Sequence, residues 1–226
     1  MSVRFYRLRQ MHRFLSRQSL FPILLSSLLA VGLFAARVYR SDTGTYAFLL
    51  WNLFLAWIPY LSSLWADYFH QRYPRRWWYL ALPGLLWLVF FPNAPYIVTD
   101  FWYLQERTPI PMWYDIGLLS AFAWTGLFLA VFSLRTMQHV VRGYMGPVLS
   151  WLFVAIALGL GGLGIYLGRF LRWNSWDLLL RPGDVLSDVA ALLTNPWHHV
   201  RAFGVTFLFA AFLSVCYLTL TSRKPS

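Results

Sequence analysis

Four charged side chains at the ends of long apolar runs offer the most chemistry. Asp100 closes the segment Phe91-Pro92-Asn93-Ala94-Pro95-Tyr96-Ile97-Val98-Thr99-Asp100, and Asp115 follows Trp113-Tyr114. Arg169 and Arg172 lie in Gly168-Arg169-Phe170-Leu171-Arg172-Trp173-Asn174-Ser175-Trp176-Asp177. Two carboxylates brought together can divide acid and base roles, which makes Asp100 and Asp115 the candidate catalytic residues. Two arginines three apart on a continuing helix share a face and can clamp a phosphate or carboxylate. Arg169 and Arg172, with Asn93 and Tyr96 from the segment that ends at Asp100, are therefore the candidate ligand-binding residues. The competing reading is that these are interfacial charges pairing with each other and with water.

Other chemistries find no support. There is no phosphate-binding glycine loop, no His-Glu-x-x-His and no Gly-x-Ser-x-Gly. His198 and His199 are adjacent, so on a helix they diverge by about 100 degrees and make no metal pair. Cys216 is the single cysteine, which excludes a disulfide framework within the chain and a cysteine metal cluster. It reads as a small apolar side chain. No metal and no cofactor is expected.

Composition says what must position these residues. The chain is 59% apolar and only 12% charged, against about 25% charged in a soluble domain. Its 19 basic and 8 acidic residues raise the question of nucleic acid. The basic residues, however, sit in short connections between uncharged stretches, where they set membrane orientation and meet anionic headgroups. Membrane lipids are the expected partners, and nucleic acid is not.

A helix needs roughly 20 residues, at about 1.5 Å each, to cross the hydrocarbon core. Six stretches free of Asp, Glu, Lys and Arg are long enough: 18–36, 43–66, 77–99, 116–134, 143–168 and 202–222. They do not alternate as barrel strands do. The expected fold is thus all-α, a polytopic integral membrane bundle of about six transmembrane helices within residues 18–222. A basic segment, 1–17, precedes it, and an outer loop spans 169–201. The first run has a basic lead like a signal peptide, but its 17 apolar residues from Leu20 to Ala36 make an uncleaved anchor the better reading. With the N-terminus inside, 12 basic residues fall inside and 7 outside, and Asp67 is the only acid inside. That split predicts both termini in the cytoplasm. Trp65, Trp77, Trp78, Trp102, Trp113, Trp173 and Trp176 lie near the run ends, the depth that indole rings prefer.

The third run is unusual. From Trp77 to Phe91 is only 15 residues, roughly 22 Å and short of a crossing. Pro92 and Pro95 each remove a backbone donor, so this span is expected to stop or kink near Pro92, with Asn93 capping a second short helix. The break either shapes packing alone or faces a ligand, with free N–H groups at a helix start. In the outer loop, Asp184 is expected to cap an amphipathic helix over 185–193 with an apolar stripe of Val185, Leu186, Val189, Leu192 and Leu193. That helix would lie on the outer leaflet or roof the bundle. Ala155-xxx-Gly159 and Gly164-xxx-Gly168 let another helix approach closely, and the Gly164/Gly168 face is a candidate surface for a membrane-protein partner or a second copy. Asn52, deep in the second run, suits an interhelical hydrogen bond.

Trp51-Asn52-Leu53, the segment 91–100, Trp113-Tyr114-Asp115 and the segment 164–177 together resemble a family of predicted bacterial membrane proteins designated domain of unknown function 1361. The resemblance implies a multi-pass protein of the bacterial cytoplasmic (inner) membrane and carries no mechanism. The residues themselves lead to an expected outward-facing site that binds a lipid-like or anionic small molecule, in an enzyme or a carrier. The alternative is an accessory or scaffold protein that docks onto another membrane complex. An ion-coupled transporter ranks third, since no run contains a charged residue.

The charge split makes the topology testable. In a Cys216→Ser background, Ser41→Cys, Thr108→Cys and Ser187→Cys should each react with an impermeant thiol reagent in intact cells, and Gln71→Cys and Gln138→Cys should not. Labelling at position 71 with silence at position 108 would reverse the orientation.

Overall fold

A computed structural model describes residues 20–221. The basic segment 1–17, and Arg223 and Lys224 of the orientation count, lie outside the described residues. The long elements are helices α1 (Leu20–Ser41), α2 (Phe48–Arg72), α3 (Ala81–Phe90), α4 (Asn93–Tyr96), α5 (Met112–Phe170), α6 (Asp177–Leu180), α7 (Pro182–Thr194) and α8 (Val200–Thr221). Short 3-10 turns cover Trp77–Leu80, Ile97–Tyr103 and Pro196–His199. Among the described residues there is no strand, only an isolated bridge between Arg107 and Ile110. Among the described residues, five helical stretches are long and apolar enough to cross a membrane, and one of these is the 59-residue α5.

α5 is two helices joined across a kink. Gly146 has φ 82° and ψ 179°, and Pro147 follows it. Only glycine takes a positive φ without a steric penalty, and a proline asks for extended backbone in the residue before it. The expected connection at 135–142 is instead helical, because Arg135 and Arg142 are good helix formers and nothing in that stretch breaks a turn. The arms, 112–145 and 147–170, are each long enough to cross the core, which restores six spans.

α5 packs against α1, α2, α4 and α8 and is the centre of the bundle. Contacts define the two ends of the molecule. At one end Arg37 of α1 meets Asp115 of α5. At the other, the His70 ring of α2 lies against His139 and Tyr144 of α5, and Tyr217 of α8 bonds to Gln138. Phe122, Leu118, Leu129, Tyr60 and Trp87 are buried in the middle of one apolar cluster. Many other large apolar side chains, Leu25, Leu28 and Phe207 among them, are exposed around it, as befits a bundle whose surrounding solvent is lipid.

The glycines of α5 make room for the proline-broken span. A Cβ on Gly164 would lie 2.5 Å from the Pro92 ring, and one on Gly168 would lie 3.1 Å from the Tyr96 ring. A Cβ on Gly161 would press on Phe91, and one on Gly126 would strike the Ala94 carbonyl and Ile97. The Gly164/Gly168 face, expected to serve a partner or a second copy, is therefore filled from within the chain. Gly159 has nothing within 4 Å of its would-be Cβ.

The loop helix is also longer than expected. It starts at Pro182, a residue suited to the first turn, rather than after Asp184. Val185 and Leu192 are buried, whereas Leu186 and Leu193 are 62% and 67% exposed. The packed stripe is therefore Val185, Val189 and Leu192, which roofs the bundle against α5 and α8.

The two kinds of glycine predict opposite signs. Gly159→Ala should raise thermostability in detergent, by up to about 1 kcal/mol of helix propensity. Gly164→Ala should lower it, and Gly164→Leu should cost at least about 1–3 kcal/mol. Equal effects at 159 and 164 would mean that Pro92 does not rest on α5.

Candidate functional site

The break in the third span is gentler than the loss of two donors suggests. Phe91 and Pro92 keep right-handed helical dihedrals, and the chain tightens to 3-10 turns from Ile97 to Tyr103. Asn93 does not cap α4. Its side-chain NH2 instead donates to the Phe90 carbonyl at 3.1 Å, next to the proline that interrupts the ladder. The backbone N–H of Ala94 donates to Phe91, and that of Tyr96 to Pro92. These two donors are used within the chain.

Past the break, Asp100 comes to lie in the bundle, 1% exposed. Arg169 of α5 donates to its Oδ1 at 2.5 Å, and the side-chain NH2 of Asn52 of α2 donates to Oδ2 at 2.8 Å. Arg169 also donates to the Thr99 hydroxyl from two nitrogens, at 2.9 and 2.5 Å. The Tyr96 ring lies 4.5 Å from the guanidinium carbon and the Tyr103 ring 5.1 Å from it, and aromatic faces attract such a cation. One buried charge pair thus ties the second, third and fifth spans together.

Asp115 belongs to a second pair. Arg37 of α1 donates to both of its oxygens, at 2.7 and 3.1 Å, in the two-pronged geometry that suits guanidinium and carboxylate. Arg37 is 2% exposed, and its Nη1 makes no hydrogen bond, but the guanidinium lies 4.6 Å over the buried Tyr46 ring. The Tyr46 hydroxyl donates to the Tyr103 carbonyl at 3.4 Å, so Tyr46 and Tyr103 separate and connect the two ion pairs. Each carboxylate has its own arginine, so the two candidate catalytic residues, Asp100 and Asp115, are divided between two ion pairs.

The loop after α5 closes over this end. The helix stops at Phe170, and Arg172 takes a left-handed φ of 60°. Trp173 then donates its N–H back to the Leu167 carbonyl. Arg172 is consequently exposed and turned off the Arg169 face, and the two-arginine clamp is not made. The turn Asn174–Asp177 is reciprocal, in the manner of a capping box. The Asp177 N–H donates to the Asn174 carbonyl, and the Asp177 carboxylate accepts the Asn174 N–H at 2.8 Å. That N–H and the Arg181 guanidinium hold the Asp177 carboxyl below its ordinary pKa. Its contribution to the turn is therefore present at neutral pH and is lost as pH falls through the lowered value. The turn presents the Ser175 hydroxyl to the Asn93 NH2 at 2.6 Å. Trp173 donates to Asp188 at 2.8 Å and so fastens α7.

Between these parts lies a cavity of about 130 Å³. Trp51, Asn52 and Leu55 of α2 line one side, and Val89, Pro92, Asn93 and Tyr96 of the broken span line another. Gly164, Leu167 and Gly168 of α5 form a third wall, with Trp173, Asn174, Ser175, Leu178 and Val185 above. Of the candidate residues, Asn93 and Tyr96 face it. Asp100 and Arg169 stand behind Asn52 and Tyr96, and Asp115 and Arg172 are elsewhere. Asn52 makes the interhelical bond expected of it and lines the cavity too. Arg37, Thr99 and Ser175 were not singled out by sequence, since an arginine, a threonine and a serine at run ends carry no special spacing. Burial of Arg37 and Asp67 was likewise not expected. Among the described residues no three His, Cys, Asp or Glu side chains are placed to hold a metal.

The buried pair should dominate stability at this end. Asp100→Ala and Arg169→Ala should each cost about 3–5 kcal/mol by leaving the other charge unmatched, and the double mutant should be less than additive. Arg172→Ala should leave the melting temperature unchanged. Two small, additive effects at 100 and 169 would contradict the pairing.

No curated protein and no solved structure matches the chain. Residues 51–216 match the family described as protein of unknown function (DUF1361). That stretch begins at Trp51, where the cavity begins, and takes in the broken span, both arms of α5 and the roof; the chain is a member of the DUF1361 family.

Proposed function

We propose that this chain is a multi-pass protein of the bacterial inner membrane, with both termini in the cytoplasm, that holds the polar end of a lipid-like molecule in the cavity beneath the Trp173–Leu178 loop. One observation carries this reading: the lining combines amides and a hydroxyl, Asn52, Asn93, Asn174 and Ser175, with an apolar flank of Leu55, Val89, Leu178 and Val185. A volume near 130 Å³ is below the roughly 300–1,000 Å³ of pockets that enclose whole drug-sized ligands. It suits a headgroup whose tail stays outside.

The lining has no Asp, Glu, His, Lys, Arg or Cys. That favours holding a molecule over acid–base catalysis at this place, and a lipid-like ligand over a free anion. The scaffold reading loses its groove, because Pro92 and Tyr96 occupy the Gly164/Gly168 face.

Filling the cavity tests the proposal. The protein purified in mild detergent should retain an amphiphile visible by native mass spectrometry, and Leu178→Trp should release most of it without lowering the melting temperature. Equal retention by the two proteins would place the bound molecule elsewhere and overturn the reading.

A further inference from the structure

The hydrogen-bonding groups that remain free in the cavity specify the head further. We infer that the cavity selects an uncharged polyhydroxyl head, a sugar or polyol, over a phosphate or an ammonium; this rests on the lipid-binding reading above.

The argument starts from the two amides. Asn52 bonds through its NH2 to the Asp100 carboxylate, and Asn93 through its NH2 to the Phe90 carbonyl. Neither partner oxygen can donate, so the orientation of both amides is settled by chemistry: nitrogen toward the partner, oxygen away from it. Asn93 also gives Ser175 a hydrogen bond, which commits both of its N–H groups. The amide oxygens of Asn52 and Asn93 accept nothing from the chain and are not among its buried unpartnered atoms, so both keep accessible surface. The Tyr96 hydroxyl is in the same condition, and Ser175, which accepts from Asn93, keeps its own O–H to donate.

The cavity therefore offers two amide oxygens fixed as acceptors, the second N–H of Asn52, the Asn174 amide and two adaptable hydroxyls. A phosphate or carboxylate head has oxygens that only accept, and it would face two carbonyl oxygens with no cation in the lining. An ammonium head would donate well, but no carboxylate lines the cavity, and Asp100 behind Asn52 is already matched by Arg169; a charge moved out of water without a partner is heavily penalised. A hydroxyl both donates and accepts, and several on adjacent carbons can meet the acceptors and the donors of the lining together. The indoles of Trp51 and Trp173 and the Tyr96 ring supply flat apolar faces for the C–H side of such a head.

The probes are dioleoyl lipids that differ only in the head, added to the full chain in nanodiscs: monoglucosyl diacylglycerol, diacylglycerol, phosphatidic acid and phosphatidylethanolamine, with free glucose as a fifth ligand. The glucosyl lipid should bind at least about tenfold more tightly than the other three. Tyr96→Phe should erode that preference by roughly threefold to tenfold, the worth of one neutral hydrogen bond, without changing the melting temperature. Phosphatidic acid or phosphatidylethanolamine binding as tightly as the glucosyl lipid, and displaced by Leu178→Trp, would overturn the polyol inference while leaving the lipid-binding reading intact. Tyr96-dependent binding of free glucose with no gain from acyl chains would keep the polyol chemistry and overturn the lipid source. No binding of any probe would overturn both.

Discussion

The contact between Asp100 and Arg169 is the constraint on which this end of the molecule depends. A carboxylate and a guanidinium that are almost fully buried survive together only when each finds further partners, because desolvation otherwise exceeds their attraction. Here the remaining positions are filled by Asn52, Thr99 and the faces of Tyr96 and Tyr103. Meeting those needs draws α2, the broken span and the second arm of α5 to one place. The cavity is what the same three elements leave open between them.

The pair and the proline break depend on each other. Helical continuation through 90–100 with full α-type hydrogen bonding is denied by Pro92 and Pro95, and the chain responds by tightening into 3-10 turns that deliver Thr99 and Asp100 to Arg169. The glycines of α5 admit the displaced backbone: without Gly126, Gly161, Gly164 and Gly168 the span would stand away from α5 and the charges could not meet. The Asn174–Asp177 turn then fixes Ser175 on Asn93, so the roof of the cavity is attached to the break itself. The four sequence segments that resemble the family sit together for these reasons, with Trp113-Tyr114-Asp115 joined to the rest through Arg37, Tyr46 and Tyr103.

Much of the architecture was legible in the sequence, because spans in lipid are set by length and apolarity alone. The runs, the break at Pro92, the interhelical role of Asn52 and the loop helix all follow from local patterns. What escaped depends on tertiary partners or on small backbone choices. Arg172 takes a left-handed conformation more often left to glycine, so nothing in its type announced that the helix ends before it. Gly146-Pro147 carries its break signal inside an apolar run, whereas the charges that suggest a connection lie at 135–142. Arg37 reads as one more interfacial charge until its partner is known, since Asp115 lies 78 residues away. The pairing of Asp115 with Arg37 was not legible from the sequence.

The attachment of the roof to the break offers the most direct test. In a Cys216→Ser background, Asn93→Cys with Ser175→Cys places two thiols where the native side chains touch at 2.6 Å. In native membranes a short bifunctional thiol reagent should join them within the chain, and Asn93→Cys with Ser187→Cys should stay unjoined. A shift on gels specific to the first pair supports the account. Failure of that pair to join, or equal joining of both pairs, would mean that the loop does not close over the break and that the cavity between them does not exist in the membrane.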